Sequence, residues 1–164
     1  MAPTLTEGDL LAVGPVTGPP RRGQLVLVRW PGPAAMELVK RIVGLPGERV
    51  RLTATGLEVD GRPVPEPYLP SGPRDPAPFE VRLGRDEYLV LGDRRDASTD
   101  GRAFGPIRRH DVIGIVRFVY WPPLAWRLIR AIRYSSISTV SPGAKVNMWS
   151  ESNVNGRNRP WSTR

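Results

Sequence analysis

The chain contains no cysteine, which excludes disulfides, thiolate nucleophiles and cysteine-ligated zinc. It has one histidine, His110, in the polar run Arg108-Arg109-His110-Asp111. A single imidazole cannot build a multi-histidine metal site, and a solvated turn is its expected setting. Neither a metal nor a cofactor is expected. No uninterrupted apolar stretch is long enough to span a bilayer. The nearest, Ile113 to Ile132, is broken by Arg117, two prolines, Arg127 and Arg130. No signal-peptide pattern opens the chain.

Lysine is almost missing too. Of 24 basic residues only Lys40 and Lys145 are lysine, and Lys145 lies in a polar tail. Lys40 stands in the apolar, strand-like run Glu37-Leu38-Val39-Lys40-Arg41-Ile42-Val43-Gly44. Arginine stays charged in a protein, whereas a desolvated lysine can lose its proton and act as a base. A chain that writes arginine almost everywhere, but lysine at a position expected to be buried, points to a chemical requirement there. The competing reading is a partly buried amine whose charge simply reaches water.

What is abundant bounds the fold. Nineteen prolines and 17 glycines in 164 residues argue against long helices and for short strands joined by turns. Apolar residues make up 40%, enough for the core of one domain. The net charge of +8 favours contact with phosphates or anionic lipid heads. Trp121, Trp126 and the arginines around them suit a membrane surface.

Strand-like runs lie at Gln24–Trp30, Met36–Val43, Arg49–Leu52, Gly56–Val59, Glu80–Leu83, Glu87–Leu91 and Val112–Tyr120. Pro31-Gly32-Pro33 and Leu45-Pro46-Gly47 separate some of them as turns, and Asp60-Gly61 reads as a tight hairpin between Leu57-Glu58-Val59 and Arg62-Pro63-Val64. The stretch from Pro63 to Pro78 holds too many prolines for a central strand and is expected as a surface excursion. The fold class is therefore all-β, with antiparallel sheets folded or barrel-like. One domain is expected over residues 1–133, ending in a short helical turn at Trp126–Ile132. Residues 134–164, rich in serine and asparagine, read as a disordered or loosely attached tail. Trp149 and Trp161 in that tail have no physical account.

Three segments carry chemistry. The first is Met1-Ala2-Pro3-Thr4-Leu5-Thr6-Glu7-Gly8-Asp9; the second is the Lys40 run continued through Leu45-Pro46-Gly47. The third, Gly92-Asp93-Arg94-Arg95-Asp96-Ala97-Ser98-Thr99-Asp100-Gly101-Arg102, follows an apolar strand and precedes Phe104-Gly105-Pro106-Ile107. Charges of alternating sign between glycines fit a compact loop held by internal Asp–Arg pairs. Exposed pairs contribute little stability each, so geometry explains them better than energy. Such a loop can present Ser98 rigidly to a neighbouring group.

In this order the segments resemble those of the bacterial type I signal peptidases. That family carries a Ser-Met-x-Pro-Thr-Leu segment, a Lys-Arg segment followed by Gly-Leu-Pro-Gly, and a Gly-Asp-Asn-Arg-Asp-x-Ser-x-Asp-Ser-Arg loop. The resemblance spans about residues 1–120 and includes Arg22-Gly23 and Glu66-Pro67-Tyr68. It implies a Ser/Lys-dyad serine endopeptidase that removes signal peptides, cutting after Ala-x-Ala patterns at the outer face of the bacterial cytoplasmic membrane. Lys40 then matches the general base and Ser98 the serine that orients it. For that role the amine must fall from about 10.4 towards roughly 7–8, disfavouring the charged form by about 3–4 kcal/mol. Asp93, Arg95, Asp96, Asp100 and Arg102 match the structural loop. Met1, Pro3, Leu5 and Val39 match the substrate-binding segments, whose shallow apolar pockets take small side chains.

The resemblance also implies departures. The family's nucleophilic serine immediately precedes the methionine matched by Met1, so the polypeptide as it stands is expected to be inactive, with its membrane anchor and an oxyanion-hole side chain also upstream. A misplaced start or a trimmed piece explains this better than a degenerate homologue, since Lys40 and Ser98 are kept. Thr4 and Thr6 lie close by without the geometry of a substitute. Arg94 stands where the family has asparagine, and Gly101 where it has serine.

Two other readings remain open. One is a LexA-type self-cleaving Ser/Lys domain, for which no Ala-Gly cleavage site or helix-turn-helix is visible. The other is a basic β-barrel nucleic-acid binder using Trp30, Tyr88, Phe118 and Tyr120. Those aromatics do not recur in one basic stripe, so no specific nucleic acid is expected.

Overall fold

The computed structural model describes residues 1–30, 36–70, 78–122 and 127–129, all within a compact unit running from Met1 to Tyr134. The Pro31-Gly32-Pro33 turn and the tail expected from residue 134 onwards lie outside the described residues.

Eleven strands form among the described residues: β1 Leu10–Gly14, β2 Leu25–Arg29, β3 Glu37–Gly44, β4 Arg49–Thr53, β5 Gly56–Val59, β6 Arg62–Val64, β7 Phe79–Arg82, β8 Glu87–Leu91, β9 Ile107–Arg108, β10 Val112–Trp121 and β11 Arg127–Leu128. One four-residue helix, α1, covers Gly101–Phe104. The all-β, antiparallel expectation holds, but the sheets do not close into a barrel. The larger sheet runs β1-β10-β2-β3-β8-β9, with β11 beside β10; the smaller runs β6-β5-β4-β7.

Local chemistry explains the hairpins. Asp60 and Gly61 both have positive φ, 49° and 76°, the pairing that lets a two-residue turn follow strand twist. The Asp60 carboxylate also accepts from the Arg49 N–H at 2.9 Å. In β3 and β8 apolar runs replace alternation, as expected of central strands covered on both faces.

The core has three parts. Val50, Leu52, Leu57 and Val59 of the smaller sheet pack with Leu89 and Leu91 of β8, joining the sheets. Val26, Val28, Ile42, Val90, Ile107 and Val112 fill the middle of the larger sheet. Leu5, Leu25, Val116 and Val119 form the third, with Met1, Leu11 and Val39 partly buried against them. Burial of Leu5, worth about 1.5–3 kcal/mol, fastens the first residues to that sheet.

Two expectations need correction. The proline-rich stretch is not wholly a surface excursion: Pro63 pairs with Glu58 in edge strand β6, and Val64 and Glu66 are buried. At Trp126–Ile132, Arg127 and Leu128 are strand and pair with Val119 and Phe118; backbone groups of β10 left open beyond its pairing with β2 take them up. Ile129 continues beside β10, its N–H donating to the Arg117 carbonyl at 2.8 Å, and the other residues of that expected turn lie outside the described residues.

Candidate active site

The pairing of β3 with β8 sets Arg41 opposite Leu91 and Ile42 opposite Val90. Lys40 therefore lies beside the first residue after β8, Gly92. On its other side Lys40 pairs with Val26 of β2. The residue is 9% exposed, and its Nζ donates to Ser98 Oγ at 2.8 Å. Desolvation lowers the amine below the ordinary lysine range. Asp100 opposes that shift, and the charge of Arg102 adds to it. Burial of this kind disfavours the ammonium form relative to the free amine.

Ser98 reaches Lys40 because the loop folds back on Gly92. A side chain on Gly92 would collide with the Ser98 hydroxyl and its Cβ, so glycine is what allows the approach. Asp100 anchors the loop's far end. Its Oδ2 accepts from the Gly92 N–H at 2.9 Å, and Oδ1 accepts from Arg102 Nε at 2.9 Å and caps α1 through the Arg102 N–H. Arg102 in turn donates to the Arg95 carbonyl at 2.7 Å. Gly101 is the small residue that lets α1 rest on β8: a Cβ there would meet Leu89 at 2.7 Å and the Val90 carbonyl at 2.8 Å. The missing serine at that position thus fits this chain's packing.

The loop is not held by internal pairs alone. Asp100–Arg102 is internal and has a buried carboxylate, while Arg94–Asp96 is exposed at 3.6 Å. Asp93 and Arg95 reach outwards. Asp93, 1% exposed, receives a fork from Arg41 of β3: Nε to Oδ1 at 2.8 Å and Nη2 to Oδ2 at 2.6 Å. Arg95 pairs with Glu66 from the proline-rich stretch. Low exposure makes outside partners necessary, since a buried charge left unpaired is costly.

A cleft of about 580 Å³ opens over Lys40 and Ser98, and Met1, Leu5 and Val39 line it together with them. Pro3, grouped with those three by sequence, is exposed and off the cleft wall, which Ala2 completes. Thr4 Oγ1 bonds Asp93 and accepts from Arg41 Nη2 at 3.1 Å. Thr6 Oγ1 donates to Asp9 at 3.1 Å. Neither hydroxyl is bonded to Lys40.

Sequence reasoning missed Arg41, Glu66, Thr4 and Tyr68 as site residues. Their partners are remote in the chain, 52 residues away for Arg41–Asp93 and 29 for Glu66–Arg95. The available signal was Glu66-Pro67-Tyr68 itself, a carboxylate and a phenol inside a stretch otherwise read as surface.

A buried amine, a serine hydroxyl and a cleft walled in part by apolar side chains thus meet on an antiparallel sheet. Comparison with known proteins gives the chain's lineage. Residues 1–121 match the sequence model of the family described as signal peptidase, peptidase S26. The chain is 34% identical over 132 residues to signal peptidase I of Leptolyngbya laminosa, covering 74% of this chain and 64% of that protein. It is 34% identical over 142 residues to signal peptidase IB of Staphylococcus aureus, covering 74% and 73%. A crystal structure of a signal peptidase I from Enterococcus faecalis V583 superposes with a TM-score of 0.53 at 25% identity, over 60% of this chain and 97% of that one. The chain belongs to the signal peptidase S26 family.

Proposed function

We propose that this domain supplies the base, the orienting hydroxyl and the substrate-side walls of a signal-peptide-cleaving serine endopeptidase. One observation carries the reading: a lysine amine, shielded from water and held by Ser98 Oγ at 2.8 Å, faces a cleft that Met1 also lines. A serine joined to the amino side of Met1 would enter that cleft.

In this reading the serine Oγ attacks the scissile carbonyl carbon while Lys40 Nζ accepts its proton. The ammonium then protonates the departing amine as the peptide C–N bond breaks, leaving an acyl group on the serine. Water attacks the ester, with Lys40 again the base, and the serine hydroxyl is regenerated. Met1, Leu5 and Val39 form the apolar wall that accepts small side chains of Ala-x-Ala type. No step calls for a cofactor. The parent enzyme works on secretory preproteins at the outer face of the cytoplasmic membrane; among the described residues no helix is long and apolar enough to cross one.

The experiment compares two purified polypeptides, residues 1–164 and the same chain with serine placed before Met1. The serine-bearing chain is expected to cleave an Ala-x-Ala peptide, and residues 1–164 alone to leave it intact. Cleavage by the unextended chain, or none by a folded extended one, refutes the assignment.

A further inference from the structure

Glu66-Pro67-Tyr68 takes no part in the chemistry above, yet Glu66 is buried and Tyr68 partly so. The Glu66 side chain has no exposed surface. Burying a carboxylate is costly, and apolar packing commonly stabilises as well or better than a buried pair. Where this carboxylate reaches is therefore informative. It accepts from Arg95 through both oxygens and from Tyr68 Oη at 2.7 Å.

Each partner leads to a different half of the cleft. Arg95 Nε donates to the Gly92 carbonyl at 3.1 Å, while Asp100 holds the Gly92 N–H. Both backbone polar groups of Gly92, the residue against which Ser98 packs, are thus restrained, the carbonyl by way of Arg95 and Glu66. The Tyr68 ring lies under the Arg41 guanidinium, 4.0 Å from its carbon, a cation–π arrangement. That guanidinium grips Asp93, the Gly23 carbonyl at 2.8 Å and Thr4 in the first segment. One short strap therefore touches the loop that carries Ser98 and, through Arg41, reaches the segment that carries Met1 and Leu5.

We infer that Glu66 is a positioning residue, the hub of a clamp that sets Ser98 against Lys40 and holds the cleft's first wall in register with them. The inference rests on the function proposed above. Loss of the carboxylate releases Arg95, frees the Gly92 carbonyl and lets the Ser98 loop lift, so that water reaches the amine.

The chain offers a direct readout, because its two lysines give two side-chain signals when grown on carbon-13 lysine. Lys145 serves as the internal reference for Lys40. The wild-type chain is compared with Glu66→Gln, which keeps the shape and removes the charge, and with Tyr68→Phe, which removes one hydroxyl. In each folded variant the Lys40 titration midpoint is expected to rise towards that of Lys145, further in Glu66→Gln. In the serine-extended chain kcat is expected to fall roughly tenfold to a hundredfold with KM nearly unchanged, the pattern of a misplaced catalytic group. A folded Glu66→Gln whose Lys40 midpoint and kcat stay at wild-type values overturns the clamp. Should Glu66→Gln not fold, an unmoved midpoint in folded Tyr68→Phe overturns it equally. A wild-type Lys40 titrating together with Lys145 instead removes the base itself, and with it both readings.

Discussion

Lys40 and Arg41 are consecutive residues of one strand, both cationic by type and both sequestered, yet their surroundings are opposite. Arg41, 2% exposed, meets a forked carboxylate, two further oxygen acceptors and an aromatic face. Lys40 meets one hydroxyl and a cleft walled in part by Met1, Leu5 and Val39. The strand offers the first cation everything that keeps it charged and the second very little. Guanidinium suits the first setting because it presents several donors in a plane and does not deprotonate; ammonium suits the second because it can. Burial alone therefore does not mark a base. The difference lies in contact: Asp93 bonds Arg41 directly, whereas Asp100 acts on Lys40 through space.

The contrast can be broken from either side. The largest effect is expected at Lys40→Ala in the serine-extended chain, where peptide cleavage should drop by about a million-fold, as when a member of a catalytic unit is removed. Retention of even a tenth of the rate would mean that another group takes the proton. Next comes Asp93→Ala, which strands the Arg41 charge and should destabilise the fold by about 3–5 kcal/mol in urea unfolding. An unchanged midpoint would show that Arg41 needs no anion.

Lys40→Met sharpens the comparison through pH. The folded chain holds the Lys40 amine below the ordinary value of 10.5, so between the two values the unfolded chain binds a proton the folded one does not. Wild-type stability accordingly rises with pH through that window. The methionine variant should be the more stable at neutral pH and below, with its advantage fading to nothing above 10.5. Thermal melts across pH check this, and an advantage independent of pH would contradict it. The smallest effect is expected at Glu80→Gln. This residue pairs with Arg49 and Arg51 on an open face of the smaller sheet and should shift stability by less than about 1 kcal/mol, even at low salt.

How far such contrasts can be read from sequence depends on chain distance. Lys40 was legible from composition and Ser98 from its motif. The strand-forming runs and the Asp60-Gly61 turn were legible because their causes are local. Arg41 was visible only as the neighbour of Lys40, since the carboxylate that gives it meaning arrives from a strand end 52 residues later. Glu66 was obscured by its prolines, which mark poor central strands but say nothing of burial. Strand β1 was passed over because Leu10-Leu11-Ala12-Val13-Gly14 is short and half exposed; its partner β10 makes it a strand. Folded and barrel-like sheets both fitted the strand pattern, and pairing order, which no spacing encodes, decides for open sheets.

That pairing of β1 with β10 joins residues 10–14 to residues 115–121. Translation must pass Trp121 before the opening residues can settle on the sheet that carries them. Until then the cleft has no first wall, and Lys40 is an ordinary wet ammonium. Contacts so distant along the chain form slowly compared with local turns. The groove is thus assembled late, once strands about a hundred residues apart have paired.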